Sequence, residues 1–572
     1  VKKMKTKDDL KMMLPRLDRK SYGAYKSLAG SYRWDNYILH IDHVQGDPFA
    51  SPSRLRFEIP AGKHAFPAEY RDRKNRKLAL EDQILRRFRR ALGRQERTRN
   101  EGGREDGRMG SGKSGRITTC RTGQTVQERI AAVFSENSLE FRFEMGFPAR
   151  GRTILAREME KLLFDILPGL AENTFYYRRW NARDRKALEE AVWLSDDQCA
   201  IREALTANHY TAFVADGSIL ARESGVSDRP MKQAVPFSSP EDMRVALELP
   251  HKGIITGMAI PEGVTVIAGG GYHGKSTLLN ALELGVYDHI AGDGREYVIS
   301  RACGTKIRAE DGRSVRHTDI SLFIRHLPNG QDTADFSSEN ASGSTSQAAN
   351  LVEAMEAGSD LMFLDEDTSA TNFMIRDETM AELVTDDKEP ISTLLRHIRG
   401  LSRSRNISFI IVVGSSGDYL SVADCVLQLD HYHVKNVTAR AREICARRGM
   451  EDRYPATDLP PMNLARTLKP VRAGRMKLKA MGTDTVMIDR EIIDVRYLEQ
   501  LKEDELTVGL AYLTGRIFSD LREERYLGEV IDRLYEKIEQ EGFVSVIPPN
   551  YSCGQPALPR KQELYACLNR KH

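Results

Sequence analysis

Lys275 and Ser276, preceded by Gly274 and by the glycine run at 269–271, are residue types that could hold a triphosphate. The apolar run from Val264 to Ala268 leads into Gly269-Gly-Gly-Tyr-His-Gly-Lys-Ser276, and Thr277 to Leu282 follows. This order reads as a buried strand, a loop and a helix opening, the context a phosphate cradle requires. Gly269 and Gly274 allow backbone angles and a close approach that a Cβ would block. Successive amides through Gly269, Gly271, Tyr272, His273 and Gly274 can then converge on an anion, and those of Lys275, Ser276 and Thr277 add the field of a helix N-terminus. Lys275 would reach the β- and γ-phosphates of ATP, and the Ser276 hydroxyl would ligand Mg²⁺.

A cradle alone hydrolyses nothing, so a metal carboxylate and a group that orients water are needed. Leu361-Met-Phe-Leu364 reads as a short strand ending in Asp365-Glu366. Asp365 suits the metal and Glu366 suits the general base. Between cradle and strand stands Ala341-Ser-Gly-Ser-Thr-Ser-Gln347, ahead of a helical run to Ala357. Ser342 and Gly343 are placed to meet a γ-phosphate at that helix start, with Ser344 and Gln347 in the same turn.

With these three motifs in order, the chain resembles the ATP-binding-cassette (ABC) class of P-loop ATPases. More narrowly, it resembles the soluble predicted ABC-class ATPases, and the kinetoplastid branch associated with mitochondrial RNA editing. The resemblance runs from about residue 20 to about 445 and includes Ile41 to Arg54, Gly110-Ser-Gly-Lys-Ser-Gly115, Gly285 to Arg295 and Lys306 to Ser314. It implies ATP and Mg²⁺ as cofactors, ATP hydrolysis, RNA as ligand, an RNA-editing or RNA-processing complex as partner and the mitochondrion as compartment. It also implies a homodimer with two ATP molecules between subunits, because in this class the serine-rich turn completes a partner's site. Two positions depart from the class. Glu310 or Asp311 stands where a glutamine contacts the metal, which makes Glu310 the expected ligand. Gly414-Ser-Ser-Gly-Asp418 stands where a switch histidine is usual, leaving Ser415 to bond a phosphate oxygen without an imidazolium charge, so slow turnover is expected. Phe237 is the candidate for stacking adenine.

The expected fold is α/β, with an ABC-type P-loop ATPase core at 236–445 flanked by mixed α+β domains at 1–235 and 446–572. A chain of 572 residues is too long for one core. It has no run of 18 or more apolar residues, so the reading includes no membrane. Seven scattered cysteines without a CxxC pair argue for reduced thiols. Charge is uneven: Arg71 to Arg116 holds 16 Lys/Arg against 7 Asp/Glu, and Lys435 to Lys479 holds 12 against 4, on a chain whose net charge is +3. Such stretches suit a polyanion or a solvated face.

Helical spacing over Leu78 to Leu92 leaves Arg86, Arg87, Arg89 and Arg90 between the apolar positions, and these are the expected RNA contacts. A polar loop over 93–107 leads into a second formal P-loop match, Gly107 to Ser114. No strand precedes it and Gly115-Arg116 follow where a helix should start, so it reads as a phosphate-touching loop through Lys113 or as a structural turn. Helices are expected over 125–135, 153–167, 181–193, 196–206 and 506–541.

Overall fold

The computed structural model describes residues 4–101, 109–385, 388–451, 453–470, 476–548 and 554–571. The chain divides into two compact units. One comprises Val1–Thr122, Val126–Ser195 and Glu541–Leu558, and the other Gly123–Thr125, Asp196–Gln540 and Pro559–His572.

In the first unit the strands Gly30–Arg33, Ile38–His43, Ser53–Pro60 and Ser138–Met145 pair antiparallel in that order. Strict alternation in Ser53–Pro60 buries Leu55, Phe57 and Ile59 on one face and turns Arg54, Arg56 and Glu58 to the other. Phe57 faces Phe141 across the ladder and stacks on Phe143. The helix Lys74–Glu101 lays Leu80, Ile84, Leu85 and Phe88 into this core. It therefore continues through the first half of the expected polar loop; residues 102–108 lie outside the described residues.

The expected helix over 125–135 is not formed. Ala132–Phe134 is a strand paired with Leu139–Phe141, because Ser135 to Asn137 makes a tight turn whose Ser135 N–H donates to Ser138 O. The two helices expected at 181–193 and 196–206 are one, Ala182–Ala207.

The second unit is built on a sheet of six strands. In chain order the elements are β1 (Val264–Gly269), α1 (Lys275–Leu284), β2 (Thr305–Ile307), α2 (Gly343–Glu356), β3 (Leu361–Asp365), β4 (Ser408–Val412), β5 (Cys425–Asp430) and β6 (His433–Asn436). The strand order is β2-β3-β4-β1-β5-β6, parallel except for β6. β3 and β4 are buried throughout, as unbroken apolar runs in a covered parallel sheet should be. Ile267 pairs with Val412 and Val412 with Asp365, so β1, β4 and β3 end side by side. The loops that leave them converge, as ligand-binding loops do at the carboxyl ends of open α/β sheets.

A four-stranded antiparallel sheet of Arg244–Leu249, Gly253–Pro261, Tyr210–Ala215 and Val298–Ser300 completes this part of the unit. The long helix expected over 506–541 is two, Asp504–Asp520 and Leu527–Glu541, interrupted where Arg525–Tyr526 pairs with Thr467–Leu468.

The last helix, Lys561–Asn569, packs on α2. Just beyond it the buried Arg570 donates to Glu310 and to Asn350 of α2, and beside them Arg313 pairs with Glu353. Removing one member of such a buried set strands a charge. Arg570→Met should therefore cost about 3–5 kcal/mol in urea unfolding, and adding Glu310→Gln to that variant should recover most of the loss.

Candidate nucleotide-binding site

The loop after β1 has the shape its glycines suggest. Gly269 has φ 147° and Gly274 φ 98°. A Cβ on Gly269 would lie 2.5 Å from the Leu429 carbonyl oxygen of neighbouring β5, so no larger residue fits the bend. Gly274 is the N-cap of α1. Tyr272 adopts φ 63° with its side chain fully exposed. Lys275 Nζ is folded back across the loop, donating to Gly269 O at 2.8 Å and Gly270 O at 2.9 Å. An ammonium held over a glycine bend at a helix start fits a polyphosphate. Ser276 is exposed on the first turn of α1, and Asp365 is buried at the end of β3 with Oδ1 accepting from Asp367 N–H. A hydroxyl and a carboxylate are the oxygen donors that Mg²⁺ takes.

Glu366 is the most constrained group at this edge. Its Oε2 accepts from Gly414 N–H at 2.6 Å and Ser415 N–H at 3.0 Å, and its Oε1 from the Ser415 hydroxyl at 2.6 Å and the Ser416 hydroxyl at 2.7 Å. Burial works to raise this carboxyl's pKa, but the four bonds outweigh it and hold the group down to about 2. The sequence reading aimed Ser415 at a phosphate. Here it grips Glu366, since Val412 pairs with Asp365 and the next residues on both strands must meet.

The turn at the start of α2 is only partly exposed. Ser342 is its exposed N-cap residue, with Oγ 3.0 Å from Thr345 Oγ1, and Gly343 is half-buried. Ser344 is buried, 3.4 Å from Ser342 Oγ. Gln347, expected at the nucleotide, is fully buried: it donates to Ser369 Oγ and accepts from Ala370 N–H, bracing the segment after Glu366. Glu310, expected at the metal, is also buried and committed to Arg570 and Asn350; burial works to raise its pKa, but the charges of Arg570 and Arg313 and these hydrogen bonds outweigh it and hold the carboxylate ionised. Neither side chain has a spare face for a ligand.

A cavity of about 700 Å³ opens beside Gly274, Ser276 and Thr277. Phe237, proposed above to stack adenine, lies on its wall, although the ring is buried in the core. No motif marks its other notable members. Tyr432, at the β5–β6 turn, stands 3.0 Å from where a Gly274 Cβ would be, and Arg295 is buried with its guanidinium on Leu220 O and Asn280. Burial, reinforced by Arg222, lowers Arg295 to about 9.

In the first unit, three of the four candidate RNA-contacting arginines are engaged internally. Arg86 pairs with buried Asp82, and Arg87 with Asp184 while lying 4.1 Å over the Trp180 ring. Arg89 donates to Thr122 Oγ1 at 2.7 Å, and Arg90 is exposed. The 110–115 loop spends its amides on the protein: Ser111 N–H goes to Ala149 O, Lys113 N–H to Pro48 O and Gly115 N–H to Gly146 O. Those three amides are taken up within the protein, and the Lys113 side chain is half-buried; burial raises the pKa of the nearby Glu144 carboxyl, with Lys113 working against it.

Three family models match successive stretches: the ATPase of the ABC class N-terminal domain over residues 7–178, the ABC ATPase P-loop domain over 184–463 and the MRB1590 C-terminal domain over 477–572. The chain thus carries an ABC-class P-loop ATPase domain, preceded by an N-terminal domain of ABC-class ATPases and followed by a C-terminal domain. An uncharacterized protein of Methanocaldococcus jannaschii is 27% identical over 257 residues. That is 42% of this chain and 54% of the relative, so the match spans about half of the relative's length. A solved ABC transporter of metal-chelate type, in an inward-facing conformation, overlays with a TM-score of 0.25 at 14% identity, covering 41% of this chain and 88% of that one. An overlap that low carries no argument. Among the described residues no helix is long and apolar enough to cross a membrane.

The carboxylate nest has a measurable signature. The Ser415→Ala/Ser416→Ala double variant should move Glu366 from about 2 up towards the ordinary glutamate range, followed by ¹³C NMR of labelled glutamate. Because the folded pKa is the lower one, the nest stabilises the fold above the ordinary glutamate pKa and loses that contribution as pH falls towards 2.

Proposed function

We propose that this chain binds and slowly hydrolyses ATP as a nucleotide-sandwich homodimer, and that it binds RNA, single-stranded by preference, within mitochondrial RNA editing or processing. The observation that carries the ATPase reading is the placement of the Lys275 loop and of Asp365 and Glu366 at the carboxyl ends of β1 and β3, the two strands that flank β4. Lys275 would exchange the Gly269 and Gly270 carbonyls for β- and γ-phosphate oxygens. Ser276 and Asp365 would hold Mg²⁺, which neutralises charge on the phosphates. Glu366 would orient the attacking water and accept its proton.

A carboxylate with a pKa of about 2 is a poor proton acceptor. Glu366 must shed donors of the 414–416 loop before it can act, which makes the resting enzyme slow. Exposed Ser342, followed by half-buried Gly343, suits a contact made to a second subunit's nucleotide, as the class resemblance implies.

The RNA and mitochondrial parts of the proposal rest on the MRB1590 C-terminal domain match, the resemblance to the kinetoplastid branch and the basic stretches. Internal pairing of Arg86, Arg87 and Arg89 favours a second reading, a nucleotide-gated scaffold for proteins. A DNA-binding clamp is the remaining alternative.

Glu366→Gln should keep ATP affinity while turnover falls about 10²–10⁴-fold, and ATP should then hold the variant as a dimer in sedimentation. A monomer with ATP bound would overturn the sandwich. Filter binding with RNA and DNA competitors at low salt separates the ligand readings: RNA retention that DNA does not displace supports the proposal, and no retention of either favours the scaffold.

A further inference from the structure

His273 is an unusual side chain for a phosphate loop, and it does not point into the bend. Its ring leans back over Gly270, and its Nδ1 accepts from His431 N–H at 2.9 Å. The β5–β6 turn thus closes on the loop through Asp430, His431 and Tyr432. Asp430 Oδ1 lies 3.5 Å from His273 Nδ1 and 2.7 Å from His431 Nδ1, and the two imidazole rings meet edge to face with centroids 4.8 Å apart. One donor atom from each of the three residues lies within 4.8 Å of the others. Lys435 takes the other carboxylate oxygen, Asp430 Oδ2, at 3.3 Å.

We propose that His273, Asp430 and His431 form a binding site for a divalent transition-metal ion of the zinc type, joining the phosphate loop to the β5–β6 turn. Two imidazole nitrogens and one carboxylate oxygen are a donor set for Zn²⁺, Co²⁺ or Ni²⁺, whereas Mg²⁺ prefers oxygen throughout. The site is therefore chemically distinct from the Ser276 and Asp365 pair. Tetrahedral bonds of about 2.0–2.2 Å set donors roughly 3.4 Å apart. The widest pair must close by about 1.4 Å, which side-chain rotation supplies: His431 is 83% exposed, Asp430 45% and His273 29%, and a metal bond from His273 Nδ1 replaces the hydrogen bond it accepts from His431 N–H. Three protein ligands leave a fourth position for water.

An ion here fixes the conformation of the residue just before Gly274 and Lys275. Ion and nucleotide then alter each other's affinity by one common factor. Binding of the ion itself needs no nucleotide, so the site stands or falls apart from the ATPase reading.

The test uses the full chain, stripped with a chelator and free of nucleotide, titrated with Co²⁺ by visible absorption and with Zn²⁺ by calorimetry. One equivalent should bind with the intense d–d bands of tetrahedral cobalt. His273→Ala and His431→Ala should each weaken binding by at least about tenfold, and Asp430→Asn should also weaken it. His433→Ala, exposed on β6 outside the cluster, should leave it unchanged. Absence of those bands, or wild-type affinity in both folded His273→Ala and His431→Ala proteins, would overturn the proposal. Should either alanine variant fail to fold, Asp430→Asn decides by the same titration.

Discussion

Four donors on one carboxylate, Glu366 in the grip of Gly414, Ser415 and Ser416, govern the chemistry available at the sheet's edge. The contact follows from strand order. β4 runs between β1 and β3, so its outgoing loop lies between the phosphate loop and Glu366 and can serve either neighbour. A terminal phosphate oxygen is an acceptor of the same kind as a carboxylate oxygen, and the loop's hydroxyls cannot satisfy both at once. Competition for a fixed set of donors makes a two-state element that nucleotide can bias. A switch histidine could add positive charge to that exchange, whereas serine hydroxyls can offer only hydrogen bonds.

The second requirement is that the α2 start be presented rigidly. From Ser346 onward the helix is largely buried, and only its first turn is accessible. Gln347 ties it to 369–370, just after Glu366, while Asn350 and Glu353 tie it to Glu310, Arg313 and Arg570. Buried ion pairs of this sort add little net stability against their desolvation cost. What they fix is orientation, and through Arg570 the end of the chain takes part in holding the helix that carries Ser342.

The strand, loop and helix of the phosphate cradle were legible because each is local: apolar run, glycines and helix opening lie within twenty residues. Asp365 and Glu366 were legible for the same reason, ending an apolar strand. Side chains whose role depends on distant partners were not. Glu310 looks like any acid in a turn until Arg570, 260 positions away, is brought against it. Gln347 sits in the right motif, yet its turn of helix faces inward. The misread 125–135 stretch has apolar positions at helical spacing, but tertiary pairing with Ser138–Met145 overrode that period.

Charge was the least transferable reading. The surplus between Arg71 and Arg116 counts guanidiniums, whereas a polyanion responds only to those that reach solvent. Arg86 and Arg87 each neutralise a carboxylate, and Asp184, the partner of Arg87, lies far along the sequence from the basic stretch. Counterion release scales with phosphates neutralised, at a slope of about −0.7 per contact for a single strand. A steep salt dependence must then draw on exposed cations such as Arg90 and Arg116, or on the other basic stretch, of which 471–475 lie outside the described residues. The helix Lys74–Glu101 is arginine-rich on a face that the protein itself partly consumes, and side chains spent on internal pairing are lost to any polyanion.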